Sequence, residues 1–186
     1  MQQQVYHSHA IQAWEQRWFA QNNRSFGLMQ QVAWSIAQRL NVLFSATYRQ
    51  VKHIAIWCGS GNNAGDGYCL ASYLKQLGYQ VEIFAAEQGL SQDLHAAVQI
   101  AQQDQIRIHQ HFLPRQSFDC HIDALFGIGL NRQLDDDWQR IIDTFNTQSG
   151  VKIAIDIPSG LNANTGQPLP VAVTADHTFT VLGLKA

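Results

Sequence analysis

Apolar residues recur at helical spacing at the start of the chain and at strand spacing after residue 50. Ile11, Trp14, Trp18 and Phe19 fall at i, i+3, i+7 and i+8 and predict a first helix. Leu28, Val32, Ile36, Leu40 and Leu43 repeat that stripe before Tyr48, with Asn22 and Asn23 separating the two helices. Residues 51–58 then read as a strand that becomes continuously apolar. Leu70, Tyr73, Leu74 and Leu77 give a helix face that Gly78 is placed to end. A strand over 81–86 follows, then a helix with Ser91 as its N-cap, lined by Leu94, Ala97, Val98 and Ala101. Residues 106–108 and 118–126 predict two more strands. Leu134, Trp138, Ile141, Ile142 and Phe145 mark an amphipathic helix, and Asp135, Asp136 and Asp137 suit the positive end of its dipole. Strands over 151–155 and 178–182 complete the series. Alternating strands and helices predict an α/β fold: a Rossmann-like, mainly parallel sheet with helices on both faces, preceded by two N-terminal helices. No repeat or linker divides residues 1–186, which read as one domain.

Glutamine refines this picture. It is common along the chain yet absent from 51–75, 117–132, 149–166 and 168–186. The first three of these windows are the ones expected to carry buried strands that feed glycine-rich loops.

The first loop, Cys58-Gly59-Ser60-Gly61-Asn62-Asn63-Ala64-Gly65-Asp66-Gly67, follows a strand and opens a helix. Backbone N–H groups at such a helix start attract phosphate, and glycines allow close approach. Gly59-x-Gly61-x-x-Ala64 fits the dinucleotide fingerprint, with Glu82 or Glu87 as ribose acids. The Asn pair and Asp66 go beyond it, adding oxygens for ribose hydroxyls or a hard cation. The second loop, Asp123-Ala124-Leu125-Phe126-Gly127-Ile128-Gly129-Leu130-Asn131, puts an acid at the end of an apolar strand. A carboxylate there is expensive to bury unless it is paired, hydrogen-bonded or bound to a cation. The third, Asp156-Ile157-Pro158-Ser159-Gly160-Leu161-Asn162, offers a hydroxyl and a carboxylate able to act as acid or base. All three would emerge from the carboxyl ends of parallel strands, where open α/β sheets bind ligands.

Composition narrows the partners. With 46% hydrophobic residues the 186-residue chain can bury a core, while 14% charged residues and a net charge of −2 make it a poor nucleic-acid binder. No apolar run is long enough to span a membrane, and residues 1–9 show no secretory signal, so the cytoplasm is the expected compartment. Cys58, Cys69 and Cys120 lack a CxxC pair and read as buried thiols. The pairs His7/His9 and His109/His111 lack a third ligand at metal spacing.

In order and spacing, GSGNNAGDG, DALFGIG and IAIDIPSGLNANTG resemble the NAD(P)H-hydrate epimerase family, the YjeF N-terminal domain. The resemblance runs from Leu28-Met29 to residues 175–180. It implies a Rossmann-like fold, often dimeric, that interconverts the R and S epimers of NADHX and NADPHX, reduced cofactors hydrated at C6 of the nicotinamide ring. It implies potassium held by Asn63, Asp123 and Ser159. It also implies a dinucleotide site at Asn62, Asn63, Ala64, Gly65, Asp66, Gly127, Ile128, Gly129, Leu130, Asn131, Arg132, Gln133 and Asp156. Asp156 is the expected acid/base group, with Asp66 second. The C6 centre would be scrambled by nitrogen-assisted loss and return of hydroxide, or by ring opening and closure.

The chain departs from the family at Ala64-Gly65, where a glycine pair is usual, and at Gln30-Gln31, where an acid is common. Many bacterial relatives continue into an ADP-dependent dehydratase domain, so a fused or separate dehydratase is an expected partner. A non-catalytic nucleotide- or ADP-ribose-binding module is the alternative. It would need the glycine loops but not Asp66, Asp123 and Asp156 together. A conventional NAD-dependent dehydrogenase would leave Asn62, Asn63 and Asp123 idle.

Overall fold

The computed structural model describes residues 5–21, 24–86, 89 and 91–185, without the side chains of Phe19, Leu184 and Lys185. The expectations at Asn22, Asn23 and Glu87, and for the Phe19 side chain, lie outside the described residues. In chain order the elements are β1 (Val5–Tyr6), α1 (Ser8–Ala20), α2 (Ser25–Ala46), β2 (His53–Cys58), α3 (Asn62–Gln76), β3 (Gln80–Ala85) and α4 (Gln92–Gln103). There follow β4 (Arg107–His109), β5 (Cys120–Ala124), α5 (Asp136–Thr147), β6 (Val151–Ile155), β7 (His177–Phe179) and β8 (Leu184–Lys185).

Six strands form one sheet in the order β4-β3-β2-β5-β6-β7, every neighbouring pair parallel. The order reverses between β2 and β5, which makes that gap the switch point where doubly wound sheets open a crevice. Strand period 2 sorts the core into two layers. Ile54, Ile56, Cys58, Ile83, Ile122 and Ile153 face α2, α3 and α4. Ala55, Trp57 and Phe84 face the other way, onto Ile142 and Phe145 of α5. The expected α/β fold with helices on both faces is what the chain adopts.

Local signals were obeyed where backbone geometry decides. Gly78 follows α3 with φ +95°, the left-handed conformation of a helix C′ glycine. Asp135 caps α5, accepting from Trp138 N at 3.0 Å. The three cysteines are free and buried.

Three expectations need correction, and one predicted helix stays open to solvent. The deeply buried face of α2 is Met29, Ala33, Ile36, Ala37, Leu40 and Phe44, rotated from the predicted stripe because small alanines let the helix approach α3 closely. Trp14 and Trp18 of α1 stay 40% and 38% exposed. Ser91 holds the N-cap position of α4, but its hydroxyl donates to Asn62 Oδ1 at 3.1 Å instead of capping. The last sheet strand ends at Phe179, because Leu182 turns to φ +60°. Among the described residues no helix is long and apolar enough to cross a membrane.

One buried polar pair marks the α5 face. Trp57 Nε1 donates to His121 Nδ1 at 3.1 Å, so the imidazole proton sits on Nε2. Burial, with Lys152 nearby, lowers the His121 pKa from 6.5 to about 4. Below pH 6.5 the unfolded chain binds the proton that the folded one refuses. Stability is therefore expected to fall by about 1.4 kcal/mol per pH unit between roughly pH 6.5 and 4, about 3 kcal/mol in all. Urea unfolding at pH 7, 5 and 4 checks this. His121→Gln should flatten the pH profile by close to one proton, and an unchanged slope would refute it.

Candidate functional site

The three glycine-bearing loops leave the carboxyl ends of β2, β5 and β6 side by side and enclose a cleft of about 620 Å³. Their contact is tight. A Cβ on Gly59 would clash with the Leu125 carbonyl, so this glycine serves loop-to-loop packing. Gly61 and Gly129 have open space where a side chain would be, leaving backbone facing the cleft.

Beneath the cleft floor lies a buried oxygen-rich knot. Asp123 and Ser159 are fully buried, and Asn63 is 8% exposed. Ser159 N donates to Asp123 Oδ2 at 2.7 Å; Ser159 Oγ and Leu125 N donate to Asp123 Oδ1 at 2.6 and 3.0 Å. Phe126 N donates to Ser159 Oγ at 2.8 Å, and Asn63 Nδ2 donates to the Phe126 carbonyl at 3.0 Å. Burial raises the Asp123 carboxyl to about 6 against the pull of those three hydrogen bonds. Asn63 Oδ1 is buried with no hydrogen-bond partner. A buried acceptor left unsatisfied beside a buried carboxylate, a hydroxyl and a carbonyl is the donor set that suits a hard monovalent cation, with no Cys or His needed.

Asp156 closes the other side. It has φ +69°, a conformation that Asp and Asn tolerate better than most side chains and that is enriched at functional sites. Its backbone N donates to Phe179 O at 2.8 Å. Its Oδ1 and Oδ2 accept from Val181 N at 3.3 Å and Ile128 N at 3.2 Å. A Cβ on Gly127 would come within 3.1 Å of Asp156 Oδ2, so the glycine keeps this approach open. Asp66, one turn into α3, is half-buried at the cleft wall. Burial, then the negative charges of Asp156 and Glu15, push its carboxyl well above the usual carboxylate range. Phe126 and Trp138 form an edge-to-face pair, centroids 4.6 Å apart, that gives the cleft an aromatic wall.

The structure brings most of the expected residues together. Asn62, Asn63, Asp66, Gly127, Ile128, Gly129, Leu130, Arg132, Gln133 and Asp156 line the cleft. Ala64 and Gly65 do not: both are buried, and Gly65 packs against Met29. Asn131 is exposed and outside the lining. Glu82 lies on the β3 face away from the rim, taken up by Arg107 at 3.0 Å and His109 at 2.6 Å, so it is no ribose acid. Sequence reading missed Ile11, Gln12 and Glu15 of α1, and Val181 and Leu182 after β7. The i, i+4 spacing of Ile11 and Glu15 was the available signal.

Residues 25–186 match the family model described as YjeF-related protein N-terminus. The chain is 34% identical to the bifunctional NAD(P)H-hydrate repair enzyme Nnr of Thermofilum pendens, over 68% of this chain and 26% of that one. It is 34% identical to the Escherichia coli enzyme of the same name, over 75% and 28%. It is 31% identical to the NAD(P)H-hydrate epimerase of Oenococcus oeni, over 83% and 73%. The chain thus spans about a quarter of the length of the bifunctional relatives. The crystal structure of yeast ynu0 superposes with a TM-score of 0.85 at 19% identity, covering 98% of this chain and 82% of that one, which shows a shared fold. With the family model matched over nearly the whole chain and relatives above 30% identity, the chain belongs to the YjeF-related N-terminal family.

Proposed function

We propose that the chain is an NAD(P)H-hydrate epimerase, an isomerase that interconverts the R and S epimers of NADHX and NADPHX. The observation that carries this reading is the placement of two carboxyls, from α3 and from the loop after β6, in one cleft. Asp66 is held toward its protonated form, while Asp156 is fixed in a strained backbone turn by two backbone N–H groups. Relatives bearing the epimerase name support it. A binding module would have no use for that pairing.

In the reaction, the open backbone at Gly61 and Gly129 and the guanidinium of Arg132 receive the diphosphate. The Phe126–Trp138 wall takes a ring face. Asp66 donates its proton to the C6 hydroxyl. The C6–O bond breaks, its electron pair leaving with oxygen as water, and the ring nitrogen lone pair forms the N1=C6 bond. Water returns to the opposite face of C6 and gives a proton to Asp156, and bulk water carries that proton back to Asp66. Asn63, Asp123, Ser159 and the Phe126 carbonyl would hold potassium. The ion would neutralise the buried Asp123 charge and order the loops around the site.

The same reading places the chain in the cytoplasm as a homodimer, acting before a dehydratase that consumes one epimer, fused or separate. The test is chiral chromatography of purified R-NADHX incubated with protein, with potassium or sodium. The S epimer should appear faster than it forms spontaneously. No acceleration in either salt, with dinucleotide binding intact, would assign the cleft to a binding module.

A further inference from the structure

The chain passes from β7 to β8 through one strained turn. Leu182 has φ +60°, and Gly183 N donates to Val181 O at 2.8 Å. An i→i+2 hydrogen bond around a positive φ marks the γ-turn of the rare, strained hand, and a bulky residue seldom occupies it. The turn is held from several sides. Val181 N donates to Asp156 Oδ1 at 3.3 Å, and Thr180 Oγ1 donates to Gly183 O at 2.8 Å. Beyond it, β8 pairs in parallel with β1, Val5 beside Leu184, and a Cβ on Gly183 would come within 3.1 Å of the Tyr6 ring. Strain of this kind persists only where the surroundings over-determine it, and it collects at ligand sites.

What the turn achieves is a placement. Leu182 lines the cleft and stays 40% exposed, while its neighbour Val181 packs, half-buried, against the core. A leucine left open to water on a strained backbone gives the fold little in return. Its position along the cleft follows from Val181 N, which sets this turn beside Asp156. Gly61, Gly129 and Arg132, assigned above to the diphosphate, belong to the loops after β2 and β5.

We propose that Leu182 is a specificity-determining residue: the γ-turn presents its side chain to the hydrated nicotinamide ring, and that apolar contact turns C6 toward Asp156. The proposal rests on the epimerase reading above. The hydrated ring is uncharged and carries saturated CH₂ groups, which an isobutyl side chain shields from water. The diphosphate and the riboses are polar and gain nothing from it. The contact therefore acts on one half of the substrate only.

The experiment measures kcat and KM for R-NADHX, spontaneous rate subtracted, together with the inhibition constant of ADP-ribose and the Tm. It compares the unaltered chain with Leu182→Ala, Leu182→Met and Leu182→Gly. Leu182→Ala should lower kcat/KM about tenfold, with the ADP-ribose constant within about twofold. Leu182→Met, which keeps the apolar area, should recover most of the loss. Leu182→Gly should lose at least as much kcat/KM as the alanine variant while its Tm stays level or rises, because φ +60° costs glycine nothing. A leucine with a purely structural role would not give that split between a relaxed fold and weakened turnover. Unchanged kcat/KM in Leu182→Ala, equal weakening toward NADHX and ADP-ribose, or a Tm fall in Leu182→Gly would each overturn the proposal. If the unaltered chain fails to accelerate epimerisation, the epimerase reading falls first and this assignment falls with it.

Discussion

Asp156→Asn is expected to slow epimerisation by about 10²–10⁴-fold while leaving dinucleotide affinity within a few-fold. Asparagine is the substitution that isolates the chemistry. It accepts the φ of +69° nearly as well as aspartate, and its one carbonyl oxygen can still take the hydrogen bond from Ile128 N or from Val181 N. What it loses is the ability to accept a proton. An alanine here would mix that loss with backbone strain and two stranded N–H groups. Titration of the variant with ADP-ribose, alongside the chiral assay, separates binding from turnover. Epimerisation at the original rate would take the proton-transfer role away from Asp156.

Asp123→Ala is expected to cost about 3–5 kcal/mol, since it strands two buried backbone donors and costs Ser159 Oγ its charged acceptor. Leu125 N and Ser159 N lose their acceptor, and Ser159 Oγ must turn to the Phe126 carbonyl, 3.2 Å away. The variant should also become indifferent to potassium. In the unaltered chain, potassium should raise the Tm above that in matched sodium, and more at pH 8 than at pH 5. The sign follows from Asp123 itself: its carboxyl, raised to about 6, prefers a proton in the fold, so ionisation above that pH costs stability that a cation offsets. Asn63→Ala keeps the Asp123 hydrogen bonds and removes the unpartnered Oδ1, so it should fold well yet lose the potassium response. Equal Tm shifts in Asn63→Ala and in the original would remove the cation from this knot.

Much of this site was legible because its logic is local. A strand that turns continuously apolar and then meets Gly-x-Gly declares a βα turn, and three such turns in a βα alternation must share one edge of the sheet. Asp123 could be singled out because an acid at the end of an apolar strand has nowhere inexpensive to go. Other features depend on partners far away in sequence. The Glu82 carboxylate was a ribose candidate by spacing, yet strand register sets it beside Arg107 and His109 on the α5 face. Ser91 has the chemistry of a cap, but its hydroxyl is turned to donate to Asn62, 29 residues earlier in the chain. Trp14 and Trp18 follow helical spacing without telling whether anything covers them. Asp156 carries no sequence mark of its positive φ, which comes from the way residues 156–157 turn over the edge of β6.

The parallel pairing of β1 with β8 sets an order of assembly. Residues 25–155 contain α2, α3, α4, α5 and five strands of the main sheet, β2 to β6. The segment that brings Glu15 to the cleft must wait for a strand some 180 residues later, since Val5 lies beside Leu184. On a ribosome, residues 5–20 would therefore wait for residue 184 to find their place, and the cleft would gain this wall only after most of the sheet beneath it was made.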